Sequence, residues 1–241
     1  MTTLAARVVR VPALDPALVD PMYRLYAAHY DACDPVRFRS DLAGKDHVIL
    51  LEDDGRLCGF STAVDHPFEW KGTRLRVLFS GDTIIDRSAW GQQALSRAFA
   101  RLAGALHARE PAVPLYWLLI SKGHRTYRYL SVFARRFFPH PSGDDEDLLP
   151  LAGAIAAARF GADFDPARGV VAFPRSLGQL KPELADVPSR LSTRPEVAFF
   201  LQRNPGYRSG DELVCLTRLD PDNLRALVRA AFLAGMADGL D

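Results

Sequence analysis

The stretch LRVLFSGDTIIDRSAWGQQAL, residues 75–95, decides the fold, because a strand and the start of a helix meet in it without a linker. Residues 75–85 are rich in apolar and β-branched side chains, which predicts the strand. From Leu95 onward, apolar residues recur at intervals of four, three and four, which predicts a helix with one buried face. The first N–H groups of such a helix lack intrahelical partners and carry partial positive charge, so the turn before it favours an anion.

The alternation of strand and helix continues on both sides of this stretch. Residues 115–120 predict a second strand, and a second helix is predicted from His124 to about Phe138. Before the stretch, the sequence predicts a short strand, two helices and a hairpin, whose turn carries Gly55 where a positive φ is needed. These earlier elements lie at residues 7–11, 15–30, 35–42, 47–52 and 57–64, and residues 66–72 are predicted to form a loop.

The composition is that of a globular protein: of 241 residues, 48% are hydrophobic and 24% are charged. A net charge of +1 supplies no field that would recruit nucleic acid, and no apolar stretch approaches the roughly 20 residues needed to span a bilayer. No apolar region follows Arg7 and Arg10, so we expect no signal peptide. Cys33, Cys58 and Cys215 are too widely spaced for a zinc or disulfide framework, which predicts reduced thiols, no metal site and a cytoplasmic protein.

The order of elements over residues 5–140 resembles that of the GNAT superfamily of N-acyltransferases. In that family the loop after the fourth strand reads Gln/Arg-x-x-Gly-x-Gly/Ala and holds the pyrophosphate of coenzyme A. The matching stretch is RSAWGQ, residues 87–92, in which Trp90 and Gln92 replace small residues and Gly91 is offset by one position. The resemblance implies acyl-CoA as the cofactor, with an acyl-carrier protein as the alternative donor. The implied donor contacts are the backbone of Thr83, Ile84 and Ile85, and the residues Arg87, Trp90, Gly91, Gln92, Gln93 and Lys122.

Acyl transfer to an amine requires a base for the ammonium group, donors for the developing oxyanion and an acid for the leaving thiolate. Asp82 is the candidate base or binding group for the substrate ammonium, because a half-buried carboxylate inside an apolar strand has a raised pKa. The alternative is that Asp82 pairs with an arginine or caps a neighbouring loop. The acid in the family is a tyrosine that corresponds to Leu130 here, flanked by Tyr127 and Tyr129. Tyr127, one turn earlier, is the candidate acid, unless it is only packed in the core. His124, just after the second strand, is a further candidate as base, acid or helix cap.

The second half of the chain lies outside the resemblance over residues 144–196. There the sequence predicts an acidic helix start, an alanine-rich helix and a proline-rich irregular stretch at 174–195. Residues 197–202 and 212–217 predict a final hairpin, which is followed by an amphipathic helix. We therefore expect a single domain over residues 1–241, with a donor-binding core at 1–143, an insertion at 144–196 and a final hairpin and helix at 197–241.

Together these patterns predict one fold and are compatible with two functions. The fold is mixed α/β, with a mostly antiparallel central sheet, helices on both faces and an inserted C-terminal helical and irregular segment. The first function is N-acyl transfer from a thioester to a small-molecule or peptide amine, with general acid and base help. The alternative is a ligand- or protein-binding module without catalysis, which the residues at positions 90, 92 and 130 favour. The sequence leaves open the acyl chain, the acceptor and a homodimer.

Overall fold

The computed structural model of the protein describes residues 4–173 and 178–239. Within these residues, eight strands form one mixed sheet, and two short strands pair apart from it. The long strands are β1 (Leu4–Arg10), β3 (His47–Asp53), β4 (Arg56–Trp70), β5 (Thr73–Ile85), β6 (Leu115–Ser121) and β10 (Glu212–Arg218). The short strands are β2 (Tyr30–Asp31), β7 (Phe164–Asp165), β8 (Val170–Val171) and β9 (Gln179–Leu180).

Helices lie between these strands and are joined to them by short turns. No helix in the described part of the chain is both long and apolar enough to cross a membrane. The helices are α1 (Val19–His29), α2 (Pro35–Ala43), α3 (Ala94–Arg109), α4 (His124–Phe133), α5 (Leu149–Phe160), α6 (Pro182–Ala185), α7 (Ser189–Ser192), α8 (Pro195–Arg203) and α9 (Ala226–Asp238).

The sheet has the order β1-β3-β4-β5-β6-β10-β8-β7, and β5 and β6 are its parallel pair. The predicted hairpin of β3 and β4 is confirmed, and Gly55 in its turn has a φ of 78°. The predicted start of α2 is also confirmed, because Asp34 accepts a hydrogen bond from the amide of Val36 at 2.9 Å. The predicted fold class, a mostly antiparallel mixed sheet with helices on both faces, is therefore correct.

Helices cover the two faces of the sheet differently. On one face, α3, α4, α8 and α9 pack into a continuous apolar cluster, which contains the predicted buried residues of α3. On the other face, α1 and α2 cover β3 and β4, whereas α5 covers β5, β6 and β10 in a separate cluster. The space between these two clusters is open, and the candidate site lies there.

Three predicted elements are wrong. Residues 66–70, predicted as a loop, continue β4, and α4 ends at Phe133 rather than near Phe138. Residues 197–202 form part of α8 instead of a strand, so the final hairpin does not exist. Val197 and Phe200 are buried three positions apart, which is helical spacing, and a short apolar run cannot distinguish a helix from a strand by its pattern alone.

Candidate active site

A bulge in β5 turns the carboxylate of Asp82 toward one face of the sheet. The pairing of β4 with β5 shifts by one residue between Ser61 and Ala63, so that Gly81 and Asp82 together face Thr62. An extra residue in a strand reverses the alternation of side chains beyond it. Asp82 therefore lines the same cavity as its neighbour Gly81. A side chain at Gly81 would not fit, because its Cβ atom would overlap the hydroxyl oxygen of Thr62.

β5 and β6 separate just beyond this bulge. In the described part of the chain, the two strands pair over residues 76–80 and 115–119, and the remaining residues of β5 pair only with β4. A parallel strand pair that ends in this way leaves backbone N–H and C=O groups facing a gap. The predicted central parallel pair is thus open at the end where the candidate residues lie.

The backbone of Thr83 and Ile85 faces this gap. The amide of Asp86 donates to the carbonyl of Cys58 in β4 at 2.8 Å. Antiparallel strands exchange hydrogen bonds at every second residue pair, so Ile84 bonds to β4 while Thr83 and Ile85 point away from it. Ile84 is one of the three positions whose backbone is predicted to contact the acyl donor. Its backbone groups are hydrogen-bonded to β4 and so are not free to bind that donor.

The carbonyl oxygen of Ile85 already has partners. The indole Nε1 of Trp90 donates to it at 2.8 Å, and Nε2 of His29 lies 3.1 Å from it. The backbone of Thr83 and the N–H group of Ile85 consequently remain available to a ligand.

A cavity of about 320 Å³ opens over the gap, between the apolar clusters of α1 and α2 on one side and α5 on the other. Its volume is at the lower end of the range typical of small-molecule sites. Aromatic rings form much of its wall, together with charged groups from β5, β10, α2 and α5. The aromatic residues are Tyr26, Tyr30, Phe38, Phe79, Phe160 and Phe173, and the charged residues are Asp34, Arg37, Asp41, Lys45, Asp82, Lys122, Arg159 and Glu212.

The carboxylate of Asp82 is partly buried and has no hydrogen bond or ion pair with the described residues. Burial and, to a smaller extent, the negative charge of Asp41 raise the pKa of Asp82 to about 6, against the opposing effect of Lys122 and Lys45. The predicted alternative, a pairing of Asp82 with an arginine, is absent from the described residues. A carboxylate with a pKa near 6 is well suited to act as a general base at neutral pH.

Two further acids of the cavity, the exposed Asp41 and the buried Glu212, have lysine partners. Asp41 accepts from Nζ of Lys45 at 2.7 Å, and Glu212 lies 3.3 Å from Nζ of Lys122. Lys122 is predicted to meet a phosphate of the donor, and in the structure its ammonium group faces this cavity and pairs with Glu212. Burial raises the pKa of Glu212, while Lys122 acts to lower it.

Tyr26 and Tyr30 stand beside Asp82 on the cavity wall. Burial raises the pKa of both phenols, and the negative charge of Asp82 raises it further. Their rings lie 4.8 Å apart between centroids. Both hydroxyls therefore stay protonated at neutral pH and can donate hydrogen bonds.

A second, smaller cavity of about 30 Å³ lies on the opposite face of the sheet, between the gap, α3 and α4. Thr83 and Thr126 line both cavities, so the gap between β5 and β6 joins the two faces. Tyr129 lines this smaller cavity, and burial raises the pKa of its phenol. The hydroxyl of Tyr129 has no hydrogen-bond partner among the described residues.

Tyr127 and His124, the other predicted catalytic residues, line neither cavity. The hydroxyl of Tyr127 is buried and donates to the carbonyl of Pro139 at 2.8 Å, which leaves it a structural role. His124 is also buried, and burial together with Arg125 and Arg128 lowers its pKa to about 4. Its ring is therefore neutral at pH 7, and its Nε2 has no partner among the described residues.

The first turn of α3 leaves backbone donors open, whereas the amides of residues 88, 89, 90 and 92 in the loop before it already donate within that loop. Gln93 at the N-cap makes no side-chain cap, and the first turn of α3 carries no acidic residue. Gly91 in the turn has a φ of 83°, which explains a glycine at this position. Gln92 and Gln93 are exposed beside it. The N-terminus of α3 is thus open to an anion.

Two arginines flank the exposed indole of Trp90 at this turn. The guanidinium carbon of Arg125 lies 4.6 Å from the ring centroid and that of Arg87 lies 5.8 Å from it. Burial and the nearby charge of Arg87 lower the pKa of Arg125, which indicates a local excess of positive charge. Arg87, Trp90, Gly91, Gln92 and Gln93 are therefore brought together as predicted, with Arg125 added to the group.

Sequence patterns do not identify three of the residues that line the larger cavity. Tyr30, Arg159 and Glu212 line the larger cavity, but they come from parts of the chain that lie far apart. Arg159 sits in the last turn of α5, where a basic residue is expected for helix stability alone. Of these three residues, only Glu212 stands out in the sequence, because it is an acidic residue at the start of a strongly apolar strand.

No protein-family model matches the chain, and no curated protein matches it. Among solved structures, it is similar to a conserved protein of unknown function from Enterococcus faecalis V583, described as a probable N-acyltransferase. That match has a TM-score of 0.42 and 16% identity, and covers 56% of this chain and 33% of the other.

Two further solved structures are similar to this chain. The GNAT family N-acetyltransferase YhbS from Escherichia coli, in complex with CoA, matches with a TM-score of 0.37 and 13% identity over 51% of this chain and 66% of that one. The ribosomal-protein-alanine N-acetyltransferase from Brucella melitensis biovar Abortus 2308 matches with a TM-score of 0.36 and 19% identity over 48% and 79%. The chain spans a third of the first of the three proteins and about two thirds of the second. At these identities the likeness concerns the fold alone.

Proposed function

We propose that the protein is an N-acyltransferase that moves an acyl group from a thioester to an amine. One observation carries the proposal: the gap between β5 and β6 joins two cavities on opposite faces of the sheet, with Thr83 and Thr126 lining both. A two-substrate reaction needs its reactants to meet at one point from separate entrances, and such a gap supplies that geometry. The unpaired carboxylate of Asp82 lies on one side of the gap and the phenol of Tyr129 on the other.

The donor side is assigned to the face of α3 and α4. The open N-terminus of α3, with Arg87 and Arg125 beside it, favours a phosphate-bearing carrier such as coenzyme A. The thioester arm would run from this turn along β5 to the gap. There the N–H group of Thr83, which points away from β4, would donate to the thioester carbonyl oxygen. An acyl-carrier protein, which presents the same phosphate-linked arm, is the alternative donor.

The acceptor side is assigned to the larger cavity. Asp82 takes a proton from the ammonium group of the acceptor, and the freed amine attacks the thioester carbonyl carbon. A C–N bond forms, the C–S bond breaks, and the phenol of Tyr129 gives its proton to the leaving thiolate. The tyrosinate then regains a proton from the nitrogen of the new amide. The acceptor would be a small molecule or a peptide amine, and the free Cys33, Cys58 and Cys215 fit a reaction in the reducing cytoplasm.

Thermal-shift measurements combined with a thiol-release assay test this proposal. The ligands are acetyl-CoA, a long-chain acyl-CoA, free CoA and desulfo-CoA, and a ligand at about 100 times its dissociation constant should add about 2.7 kcal/mol to the free energy of unfolding. We expect all four to raise the melting temperature of the wild type and to do so much less in Arg125→Gln. Arg39→Gln, which alters an exposed pair with Asp20, is the matched control. The absence of a shift with every CoA species would overturn the acyl-CoA donor.

A non-catalytic binding module is the second candidate, and one observation favours it. Trp90 and His29 occupy the carbonyl of Ile85, which narrows the backbone surface that a thioester arm could use. A binding module would take up an amine in the larger cavity without releasing a thiol from any thioester. The binding module would therefore be supported if the protein binds an amine but releases no thiol from either an acyl-CoA or an acyl-carrier protein donor.

A further inference from the structure

Arg159 is a cation in the wall of the larger cavity that has no anionic partner among the described residues. Its guanidinium carbon lies 3.8 Å from the ring centroid of Phe79, and within the described residues it makes no hydrogen bond or ion pair. Burial lowers the pKa of Arg159, and the carboxylate that opposes this effect is Asp41. Asp41, however, already accepts from Lys45 at 2.7 Å. A partly buried guanidinium in this state gains most from an anion supplied by a ligand.

Asp82 is the complementary case, an anion in the same cavity that has no partner in the part of the chain that the structure describes. The ring of Phe79, on which Arg159 rests, belongs to β5 only three positions before Asp82, and an extended chain rises about 3.3 Å per residue. The Cα atoms of Phe79 and Asp82 are thus separated by roughly 10 Å along the strand, and Phe79, Asp82 and Arg159 all line the same cavity. The N–Cα–C–O atoms of an amino acid, with a hydrogen bond of about 2.8 Å at each end, span a comparable distance.

We propose that the acceptor is a zwitterion, namely an α-amino acid whose ammonium group binds Asp82 and whose carboxylate binds Arg159. The proposal rests on the proposed function and names its acceptor class. The reaction would join the α-nitrogen to the acyl carbon, break the C–S bond of the thioester and release the thiol and one proton. The product is an N-acyl amino acid with a free carboxylate.

The remaining walls favour an apolar side chain on this amino acid. Phe79, Phe160 and Phe173 surround the end of the cavity near Arg159, and Phe38 and Tyr30 close the side formed by α2 and β2. Apolar area removed from water by such rings stabilises a bound aliphatic or aromatic group. The acids Asp41 and Glu212 are neutralised by lysines, so they offer no second ammonium site.

Calorimetric titration without an acyl donor tests the acceptor class directly. The probes are L-phenylalanine and L-leucine, each compared with the amine that lacks the carboxylate, 2-phenylethylamine and isopentylamine, at concentrations up to about 10 mM. We expect at least one amino acid to bind about tenfold or more tightly than its amine, because a charged hydrogen-bonded contact contributes that much. Failure of both amino acids to bind, or equal affinity for amino acid and amine, overturns the proposal.

Variants at the cavity wall separate the two charges. Arg159→Gln should remove the preference for the amino acid over its amine, whereas Asp82→Asn should weaken both ligands. Arg159→Lys keeps the positive charge and should retain part of the preference, so a folding defect can be distinguished from the loss of charge. Arg39→Gln, at an exposed pair outside the cavity, should change neither affinity. An equal loss for amino acid and amine in Arg159→Gln would contradict the assignment.

Amino-acid binding and thiol release test the zwitterionic acceptor and the acyl transfer separately. Tight and Arg159-dependent binding of an amino acid, without thiol release from any thioester, would preserve the zwitterion site and overturn the transferase. Thiol release with simple amines at rates equal to those with amino acids would preserve the transferase and overturn the zwitterionic acceptor. A peptide amide accepted as well as the free amino acid would also overturn it, since a peptide has no carboxylate next to its amine.

Discussion

At the scale of single residues, the candidate site depends on the contrast between Asp82 and the acids around it. Asp41 and Glu212 each lie beside a lysine, whereas Asp82 has no partner among the described residues. Burial raises the pKa of Asp82 to about 6, and no lysine or arginine among the described residues pairs with its carboxylate. A base of this kind accepts a proton at neutral pH and returns it to water readily.

We expect Asp82→Asn to lower kcat/KM for the acceptor by about 10²- to 10⁴-fold, the usual contribution of a positioned base. In the wild type, the ionised carboxylate is lost as the pH falls through about 6, so the rate should decline below that pH. The pH–rate profile of the variant should lack this limb. A profile with the same limb near pH 6 in Asp82→Asn would show that another group is the base.

The same pKa also predicts an effect on stability. The folded state binds the proton of Asp82 more tightly than the unfolded state, since the pKa is raised from 3.8 to about 6. Ionisation therefore destabilises the fold above pH 6, by up to about 3 kcal/mol, and has no such effect below 3.8, where both states are protonated. In urea unfolding, Asp82→Asn should be more stable than the wild type near pH ~8. This gain should shrink toward pH ~4, and an equal gain at both values would contradict the prediction.

The two tyrosines of α4 provide a matched pair of variants. Tyr129 lines the smaller cavity with a hydroxyl that has no partner among the described residues, whereas the hydroxyl of Tyr127 donates to Pro139. Tyr129→Phe should lower kcat by about 10- to 100-fold with little change in stability, as expected for loss of a general acid. Tyr127→Phe should lower the free energy of unfolding by about 1–2 kcal/mol and leave kcat unchanged. Steady-state kinetics and urea unfolding distinguish these outcomes, and the reverse pattern would restore Tyr127 as the acid.

At the scale of the elements, the helix pair α3 and α9 keeps the donor face rigid through close backbone contact. A Cβ atom at Gly104 of α3 would overlap the carbonyl of Phe232, and one at Gly235 of α9 would overlap the carbonyl of Arg101. Glycines at both contact points let the two helices approach more closely than side chains would allow. The N-terminus of α3, which faces the proposed phosphates, is held in place by this packing.

Gly104→Ala should therefore destabilise the protein by about 1–3 kcal/mol, the usual cost of overpacking, or more if the helices must move apart. Gly153 of α5 is the control, because nothing lies within 4 Å of a Cβ atom added there. Gly153→Ala should raise stability by about 0.5–1 kcal/mol, since alanine is the better helix former. Equal effects of the two substitutions in urea unfolding would disprove the close contact of α3 with α9.

At the scale of the whole molecule, the chain returns from its far end to complete the sheet. β10 lies between β6 and β8, and pairs with β6 from Leu213 with Ser121 to Arg218 with Tyr116. It also brings Glu212 to Lys122 in the cavity. The predicted donor-binding core at residues 1–143 is consequently bounded by an open strand edge unless β10 is present.

We therefore expect a fragment of residues 1–143 to lack a cooperative unfolding transition, whereas the full chain should unfold in one step. The fragment exposes the edge of β6 and the apolar surface of α3 that α9 covers. Circular dichroism during urea unfolding measures this, with the full chain in the same buffer as the reference. A cooperative transition in the fragment would show that residues 1–143 are an independent domain.

The sequence predicts features that depend on residues that are close together along the chain. The strand, turn and helix of residues 75–109, the cap at Asp34 and the turn at Gly55 follow from propensity and hydrogen bonding over a few residues. The same is true of Asp82 as a carboxylate within an apolar strand, and of the open N-terminus of α3.

Features that depend on the register between distant segments were decided only by the tertiary structure. One extra residue opposite Thr62 determines that Asp82 faces the cavity, and the position of β10 determines that Lys122 pairs with Glu212. Packing around α4 determines that Tyr129, and not Tyr127, reaches the gap. The physical reason is that a side chain's partners are set by where its whole element is placed, and that placement results from burial and pairing summed over the entire chain.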